Sequence, residues 1–206
     1  MRFYSLFLAS NITLVFILQS IIPGLTDSLL LNQQSIPQIY RFATSIFLHA
    51  SLQHLIFNLF ALILFGLILE KLIGSNKFLA VFFSSGIIAN IIAFNFYPSS
   101  LGASGAIFGI IGTLTIIKPL MTVWTFSLPM PLFLAAIIWT IGDILGIFFP
   151  SGIGNIAHLS GLGLGLLLGI YFRFKHIRKI KTKKAEYSRI IIPESYMQDW
   201  ENKHMR

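Results

Sequence analysis

The sequence contains no cysteine, and only 11% of its 206 residues carry a charge. Without cysteine the chain has no thiol nucleophile, no disulfide and no cysteine-ligated metal site. A soluble domain carries about 25% charged residues, so this sequence has too few polar side chains to cover a water-facing surface. Acidic residues are the scarcest, at seven against fifteen lysines and arginines. These absences exclude an ordinary soluble domain and predict a single domain embedded in a membrane.

The positive charge is concentrated near the C-terminus. Residues 173–206 contain ten lysines and arginines against four acidic residues, whereas the preceding residues contain five against three. Basic residues beside a membrane are attracted to anionic lipid, at about 1 kcal/mol each near the surface. We therefore predict a basic cytoplasmic tail over residues 176–206 that contacts membrane lipids, and we predict no nucleic-acid partner.

Six apolar runs predict an all-α, polytopic membrane bundle. The runs cover residues 3–22, 52–73, 78–97, 103–117, 129–149 and 155–172. A bilayer-crossing helix needs about 20 mainly apolar residues, and most of these runs come close to that length. The first run lacks a small-x-small cleavage site, which favours a retained helix over a removed signal peptide. We predict one membrane domain over residues 1–175 with six membrane-spanning helices.

The fourth run is shorter than a membrane is thick. Its roughly 15 residues make a helix of about 22 Å, whereas the hydrocarbon core measures about 30 Å. Residues 98–102, with the sequence Pro-Ser-Ser-Leu-Gly, are the candidate for the missing depth. Irregular backbone is tolerated there only against protein or a water-filled cavity. The short central fourth helix therefore indicates a functional site at its start.

The positions of the basic residues predict the orientation. They lie at Arg2, between Lys71 and Lys77, at Lys118 and in the tail, whereas the loop 23–51 contains Arg41 alone. Because cytoplasmic loops carry the excess of lysine and arginine, we predict that both termini are cytoplasmic. The second, fourth and sixth helices then begin at the outer face, and the long loop 23–51 lies outside. We expect the protein in the cell membrane of a prokaryote.

Polar side chains inside apolar helices are costly and are therefore candidates for function. They are His49, His54, Asn58, Glu70, Asn90, Ser104, Asp143, Asn155 and His158. One such residue alone is more readily a packing hydrogen bond, worth about 0.6 kcal/mol. Four of them, however, lie in the first turns of the three helices predicted to start at the outer face. A hydroxyl, two imidazoles and an amide at one depth form a set of nucleophile, base and hydrogen-bond donors.

Glycines at four-residue steps predict close packing of the fourth and sixth helices. Gly161, Gly165 and Gly169 form one stripe, and Gly105 and Gly109 belong to the other. Small residues at this spacing allow helix backbones to approach closely. If the stripes face each other, Ser104 and His158 come within reach of one another.

Over about residues 40–169 the chain resembles the rhomboid intramembrane serine proteases. The motifs that carry the resemblance are Gly102-Ala103-Ser104-Gly105, His49-(four residues)-His54-Leu55-(two residues)-Asn58, and Ala157-His158-(two residues)-Gly161-(three residues)-Gly165, together with Arg41 and Gly66-(three residues)-Glu70-(three residues)-Gly74. The serine motif alone would be weak evidence, because such tetrapeptides of small residues recur by chance in glycine-rich helices. Three motifs in the right order and on the right helices are strong evidence. Tyr40 departs from the tryptophan usual in the family, which concerns the anchoring of the loop.

The resemblance implies a catalytic dyad with no third, acidic member. Ser104 would be the nucleophile and His158 the general base that activates it. The side chains of His54 and Asn58, with the Ser104 backbone N–H, would form the oxyanion hole. Glycines 102 and 105 would let the backbone turn at the serine. Structural roles are implied for the remaining motif residues, namely His49, Arg41, Glu70, Gly161 and Gly165.

The resemblance also implies a substrate that is itself a transmembrane helix. It would enter past the fifth helix, near Trp139, Phe148 and Phe149, and under the cap formed by residues 150–154. The family prefers small residues at the cleaved bond. No metal or organic cofactor is implied, and the sequence specifies no oligomeric state.

The same sequence also tests other classes of intramembrane protease and other functions. A membrane metalloprotease needs His-Glu-x-x-His, and no histidine here precedes glutamate. An aspartyl protease needs two intramembrane aspartates, and only Asp143 lies inside a run. Asp143 as a third member of a triad is an alternative, but a buried hydrogen bond to a neighbouring helix is preferred. A transporter would show internal repeats, which are absent, and a catalytically silent relative that binds or escorts membrane helices remains the alternative function.

Overall fold

The computed structural model describes residues 2–33, 36–125, 127–149, 152–187 and 194–205. The chain divides into two compact units, Met1–Phe172 and Arg173–Arg206, each described by itself. The first unit contains the predicted membrane helices and all of the candidate site residues. The second contains the remainder of the last long helix and a terminal helix.

Helices form most of the described part of the chain. They are α1 (Tyr4–Ile21), α2 (Leu25–Leu29), α3 (Arg41–Thr44), α4 (Leu52–Ile73), α5 (Ser75–Ala93), α6 (Ser104–Ile117), α7 (Leu132–Phe148), α8 (Asn155–Tyr187) and α9 (Glu194–His204), with a 3₁₀ turn at Ser45–Phe47. Four short strands are β1 (Leu31–Asn32), β2 (Ser99–Ser100), β3 (Thr122–Thr125) and β4 (Leu128–Pro131). Both strand pairs are antiparallel, with Leu31 opposite Ser100 and Thr122 opposite Pro131.

The described helices form a helical membrane bundle, which confirms the predicted fold class. Four of them are long and apolar enough to cross a membrane: α1, α4, α5 and the part of α8 up to Lys175. The other two apolar helices, α6 and α7, have 14 and 17 residues. Large apolar side chains such as Phe7 and Ile91 are exposed, as on a surface that contacts lipid. Crossing of the membrane by all six helices stays a prediction.

The local sequence predicts both ends of α4. The Ser51 side chain accepts a hydrogen bond of 3.1 Å from the His54 backbone N–H and caps the helix at its start. Gly74 ends the helix with a positive φ of 88°, a conformation that glycine adopts without steric cost. The predicted span over residues 52–73 therefore coincides with α4.

The predicted start of the fifth span at residue 129 is wrong. Residues Leu128–Pro131 form β4, and α7 begins only at Leu132. Pro129 and Pro131 lack the backbone N–H that a continuing helix needs, so they sit in the strand and immediately before the helix. The third span also differs, since α5 covers Ser75–Ala93 rather than residues 78–97. The helix begins with the polar residues that follow Gly74, so the apolar run places its start too late in the chain.

Helix α6 is the central element of the bundle and is almost entirely buried between Gly105 and Leu114. The glycine stripes of α6 and α8 face each other, as predicted. A Cβ at Gly161 would overlap the Gly105 backbone, and a Cβ at Gly165 would overlap the Gly109 backbone. The Thr113 hydroxyl spans the same contact and donates 3.0 Å to the Gly165 carbonyl. The two helices are therefore in backbone contact along this seam.

Gly161→Ala is expected to destabilise the protein by about 1–3 kcal/mol, the usual range for overpacking. The added methyl group meets backbone atoms of Gly105, which have no rotamer by which to move aside. Gly163→Ala is the matched control, because no atom lies within 4 Å of a Cβ built at that position of the same helix. Thermal unfolding in detergent measures both. Equal stability of the two variants would contradict the packing described here.

Candidate active site

The N-terminal ends of α4, α6 and α8 meet around one cavity of about 1070 Å³. Four of the predicted site residues line it together, namely His54, Asn58, Ser104 and His158. The cavity continues along α4 as far as Ile68 and is also lined by Trp139 of α7. The predicted set of a hydroxyl, two imidazoles and an amide is therefore gathered in one place.

Ser104 is the first residue of α6. Gly102, two residues before it, has a φ of 120°, and a Cβ there would lie 2.7 Å from His54 Cε1. Glycine is therefore required both by the backbone conformation and by the packed imidazole. The Gly102 N–H donates 2.9 Å to the Ser45 carbonyl, which ties this loop to the 3₁₀ turn. The first N–H groups of a helix have no intrahelical partner and form a positive end, so the turn at Ser104 is suited to developing negative charge.

His158 lies in the first turn of α8 and is held on two sides. Its ring stacks on Phe108 of α6, with the centroids 4.3 Å apart and the planes 6° from parallel. Its Nδ1 lies 3.0 Å from Oδ1 of Asp143 on α7. Asp143 thus makes the preferred hydrogen bond to a neighbouring helix, and its partner is the predicted base itself. Among the described residues, Ser104 Oγ makes no hydrogen bond, to His158 or otherwise.

His54 and Asn58 lie one turn apart on α4 and face the same cavity. The Asn58 amide donates 2.8 Å to the His54 carbonyl within the helix, so one N–H is used and one is left. The amide nitrogen carries two N–H donors, which allows it to hold this bond and to offer another. Both side chains can therefore present donors toward a group bound beside Ser104.

His49 is buried in the loop before α4 and does not line the cavity. Its ring lies 4.9 Å from the His54 ring, and among the described residues neither of its ring nitrogens has a hydrogen-bond partner. Burial, with a contribution from the nearby His54, lowers the pKa of His49 to about 4, so the ring is neutral at physiological pH. Gln19 holds the His49 backbone on both sides, accepting from its N–H at 3.0 Å and donating to its carbonyl at 3.3 Å.

Arg41 and Glu70 lie away from the cavity lining. Arg41 donates to the carbonyls of Asp27 and Leu30, at 2.7 and 3.0 Å, and to the Gln38 side chain. Buried Glu70 accepts from the Tyr4 and Ser5 backbone N–H groups, at 2.9 and 3.0 Å, and from the Ser5 hydroxyl at 2.9 Å. The carboxylate therefore satisfies the N-terminal donors of α1. These contacts are structural in kind.

Three residues near the site went unassigned in the sequence. Asn90 of α5 donates to the Phe42 carbonyl at 2.8 Å and to the Ser45 hydroxyl at 3.0 Å. The Tyr97 hydroxyl accepts 3.1 Å from the Ile156 N–H at the start of α8. Phe108 supports the His158 ring. Asn90 was signalled only as a polar residue inside an apolar helix, with no role. Phe108 carries a second signal, since it lies four residues after Ser104 and so shares its helix face.

Part of the predicted entry route lies outside the described residues. Trp139 lines the cavity, and Phe148 and Phe149 are exposed at the end of α7. The predicted cap over residues 150–154 includes two residues, 150 and 151, that the structure does not describe.

Comparison with known proteins identifies the family. A model of the Rhomboid domain matches residues 37–175, which is more than half of the chain. RHOMBOID-like protein 1 of Arabidopsis thaliana is 33% identical over 137 residues, covering 66% of this chain and 35% of the relative. Rhomboid protease GlpG of Yersinia pseudotuberculosis is 31% identical over 144 residues, covering 68% and 50%. Rhomboid protein 1, mitochondrial, of Saccharomyces cerevisiae is 30% identical over 157 residues, covering 69% and 44%.

These matches concern the membrane domain, since the chain spans half or less of each of these three relatives. The matched residues include α4, α6, α7 and the first part of α8, and with them every side chain of the cavity described above. The helical membrane bundle, the cavity lined by the candidate residues and the match to the family model are consistent with one another. The chain belongs to the rhomboid family.

Proposed function

We propose that the chain is an intramembrane serine endopeptidase that hydrolyses peptide bonds in or near transmembrane helices. Ser104 is the nucleophile and His158 the general base. The observation that carries the proposal is the convergence of Ser104, His158, His54 and Asn58 on one cavity, with the helices of Ser104 and His158 in backbone contact. Proteases among the named relatives add family-level support.

The reaction begins when Ser104 Oγ attacks the carbonyl carbon of the scissile bond. As the O–C bond forms, the hydroxyl proton passes to His158 Nε2 and the carbonyl π electrons move to the oxygen. A serine hydroxyl is a weak nucleophile without such a base, so the two side chains must come into contact in the substrate complex. Hydrogen bonds of this kind are often long in free enzymes and tighten when substrate binds.

The tetrahedral oxyanion receives hydrogen bonds from His54, from Asn58 and from the Ser104 N–H at the start of α6. Its collapse breaks the C–N bond, and the leaving amine takes the proton from His158 Nε2. Water then attacks the acyl carbon while His158 Nε2 accepts its proton. Collapse of this second tetrahedral intermediate breaks the ester bond to Ser104 Oγ, which takes the proton back from His158 as the carboxylic acid product leaves. Deacylation needs water at membrane depth, and the cavity over the short helix α6 supplies room for it.

The shape of the cavity supports a helical membrane substrate. Apolar side chains of α4, such as Phe57, Leu64 and Ile68, line it far beyond Ser104. A peptide carbonyl inside an intact helix is hydrogen-bonded and shielded, so the substrate must unwind locally before it reacts. We propose that it enters from the membrane past α7. Both termini on the cytoplasmic side, a basic tail on the lipid surface, the boundary at residue 175 and a prokaryotic cell membrane stay parts of this proposal.

Labelling by a fluorophosphonate tests the proposed nucleophile. The parent protein in detergent is expected to react and to cleave a fluorogenic transmembrane peptide with small residues at the cleaved bond. Ser104→Ala is expected to do neither while keeping the parental melting temperature. Unchanged labelling of the Ser104→Ala variant would place the nucleophile elsewhere.

The same experiment distinguishes the alternative function, a catalytically silent relative that binds or escorts membrane helices. Such a protein would bind the transmembrane peptide but leave it intact, and it would not react with the fluorophosphonate. The absence of a Ser104–His158 hydrogen bond in this structure is the one observation that favours it. The retention of both side chains and of His54 and Asn58 favours the enzyme.

A further inference from the structure

We propose that Asp143 is a positioning residue that acts through His158, so that the proposed dyad works as a triad. The assignment rests on the proposed function and adds a residue to it. Asp143 lies on α7 and is 7% exposed. A carboxylate inside a membrane helix is energetically costly, so Asp143 is a candidate for a functional role.

The hydrogen bonding of Asp143 differs from that of a structural carboxylate. Glu70, the other buried acid of the first unit, accepts three hydrogen bonds and satisfies both of its oxygens. Among the described residues Asp143 has one partner, His158, and its Oδ2 is buried without any. An acid kept only to join helices would be expected to satisfy both oxygens, because an unpaired buried polar atom is unfavourable. The contact with His158 is thus the one interaction that accounts for Asp143.

The packing of α7 against α8 brings the two side chains together. A Cβ at Gly146, one turn after Asp143, would lie 2.6 Å from the Asn155 amide nitrogen, so the start of α8 rests directly on this glycine. Asn155 is itself buried and lies one turn before His158. One turn away, the same pair of helices places Asp143 Oδ1 3.0 Å from His158 Nδ1.

The geometry assigns the roles of the two imidazole nitrogens. With a carboxylate at Nδ1, that nitrogen carries the proton, and Nε2 is left with a lone pair to accept the Ser104 proton. Phe108 fixes the plane of the ring, and Asp143 fixes its rotation within that plane. When Nε2 takes the proton, the Asp143 carboxylate, 3.0 Å from Nδ1, stabilises the positive charge on the ring. Among the described residues, His54 also lines the cavity into which His158 faces.

The test compares the parent with Asp143→Asn and Asp143→Ala, using the fluorogenic transmembrane peptide. We expect kcat to fall by up to about 10⁴-fold, the effect of the Asp→Asn change in a serine-protease triad, with KM little changed. Thr140→Val is the matched control on the same helix, since in the described part of the chain its hydroxyl donates to the Ala136 carbonyl of its own helix, at 2.7 Å, and to no other group. It is expected to keep the parental kcat. A purely structural Asp143 would instead lower the melting temperature and leave kcat of the folded fraction unchanged.

A second measurement, on the parent and on His158→Ala, tests the contact even if the Asp143 variants fail to fold. In the parent, the proton between His158 Nδ1 and Asp143 should give a low-field ¹H NMR resonance that is lost in His158→Ala. Its absence in the parent, or a parental kcat in Asp143→Asn, overturns the assignment. If the parent neither cleaves the peptide nor reacts with the fluorophosphonate, the proposed function fails and the assignment fails with it. If the parent is active, Ser104→Ala is inactive and Asp143→Asn is fully active, only the role of Asp143 fails.

Discussion

Ser104→Ala and His158→Ala are each expected to lower kcat by about 10⁴–10⁶-fold, and the double variant is expected to be no slower than the slower single one. The reason is that the hydroxyl and the imidazole act as a unit: without the base the serine is a weak nucleophile, and without the serine the base has no proton to take. Residual cleavage would come from binding and the oxyanion donors alone. Single-turnover cleavage of the fluorogenic peptide at high enzyme concentration measures all three variants.

A serine on the same helix as His158 gives the control for this series. The Ser160 hydroxyl donates 2.6 Å to the Ile156 carbonyl of its own helix and is absent from the cavity lining. Ser160→Ala is therefore expected to cleave at the parental rate. Effects of the two single variants that multiply in the double variant would mean that Ser104 and His158 act independently, and the dyad would have to be abandoned.

The ends of the helices were predictable where a capping residue marks them. Ser51 and Gly74 bound α4 at the predicted residues, because both act through local backbone geometry. The hairpin of β3 and β4 was missed because the residues around it are almost as apolar as the helix that follows. In such a run, hydrophobicity alone does not separate a strand from a helix start. Pro129 and Pro131 indicated that the helix begins only after them.

The candidate site was predictable as a set of residues but not as a geometry. Helix parity correctly placed His54, Ser104 and His158 at one end of the bundle. Parity determines depth but not the rotation of a helix about its axis, and rotation decides whether Asp143 faces His158 or lipid. The structure shows that rotation in the contact of Asn155 with Gly146, a packing detail that leaves no periodic pattern in the sequence. The hydrogen bond from Asp143 to the proposed base is therefore a finding of the structure.

Asn58→Ala is expected to lower kcat by about 10²–10³-fold, equivalent to about 2.7–4 kcal/mol of transition-state stabilisation. Asn58 lines the cavity beside Ser104, and its amide keeps a free N–H beyond the bond to the His54 carbonyl. That donor is used only when negative charge develops on the substrate oxygen, so KM is expected to change little. His54→Ala is expected to act in the same direction, provided that its melting temperature shows an intact fold.

Asn11 provides the matched control for Asn58. Its amide donates 2.7 Å to the Phe7 carbonyl four residues earlier, which is the same kind of bond within a helix, but on α1 and away from the cavity. Asn11→Ala removes this bond without removing a donor from the site, so its kcat is expected to equal that of the parent. If Asn58→Ala cleaves as fast as Asn11→Ala, the oxyanion is stabilised by other groups, and the Ser104 N–H at the positive end of α6 becomes the principal donor.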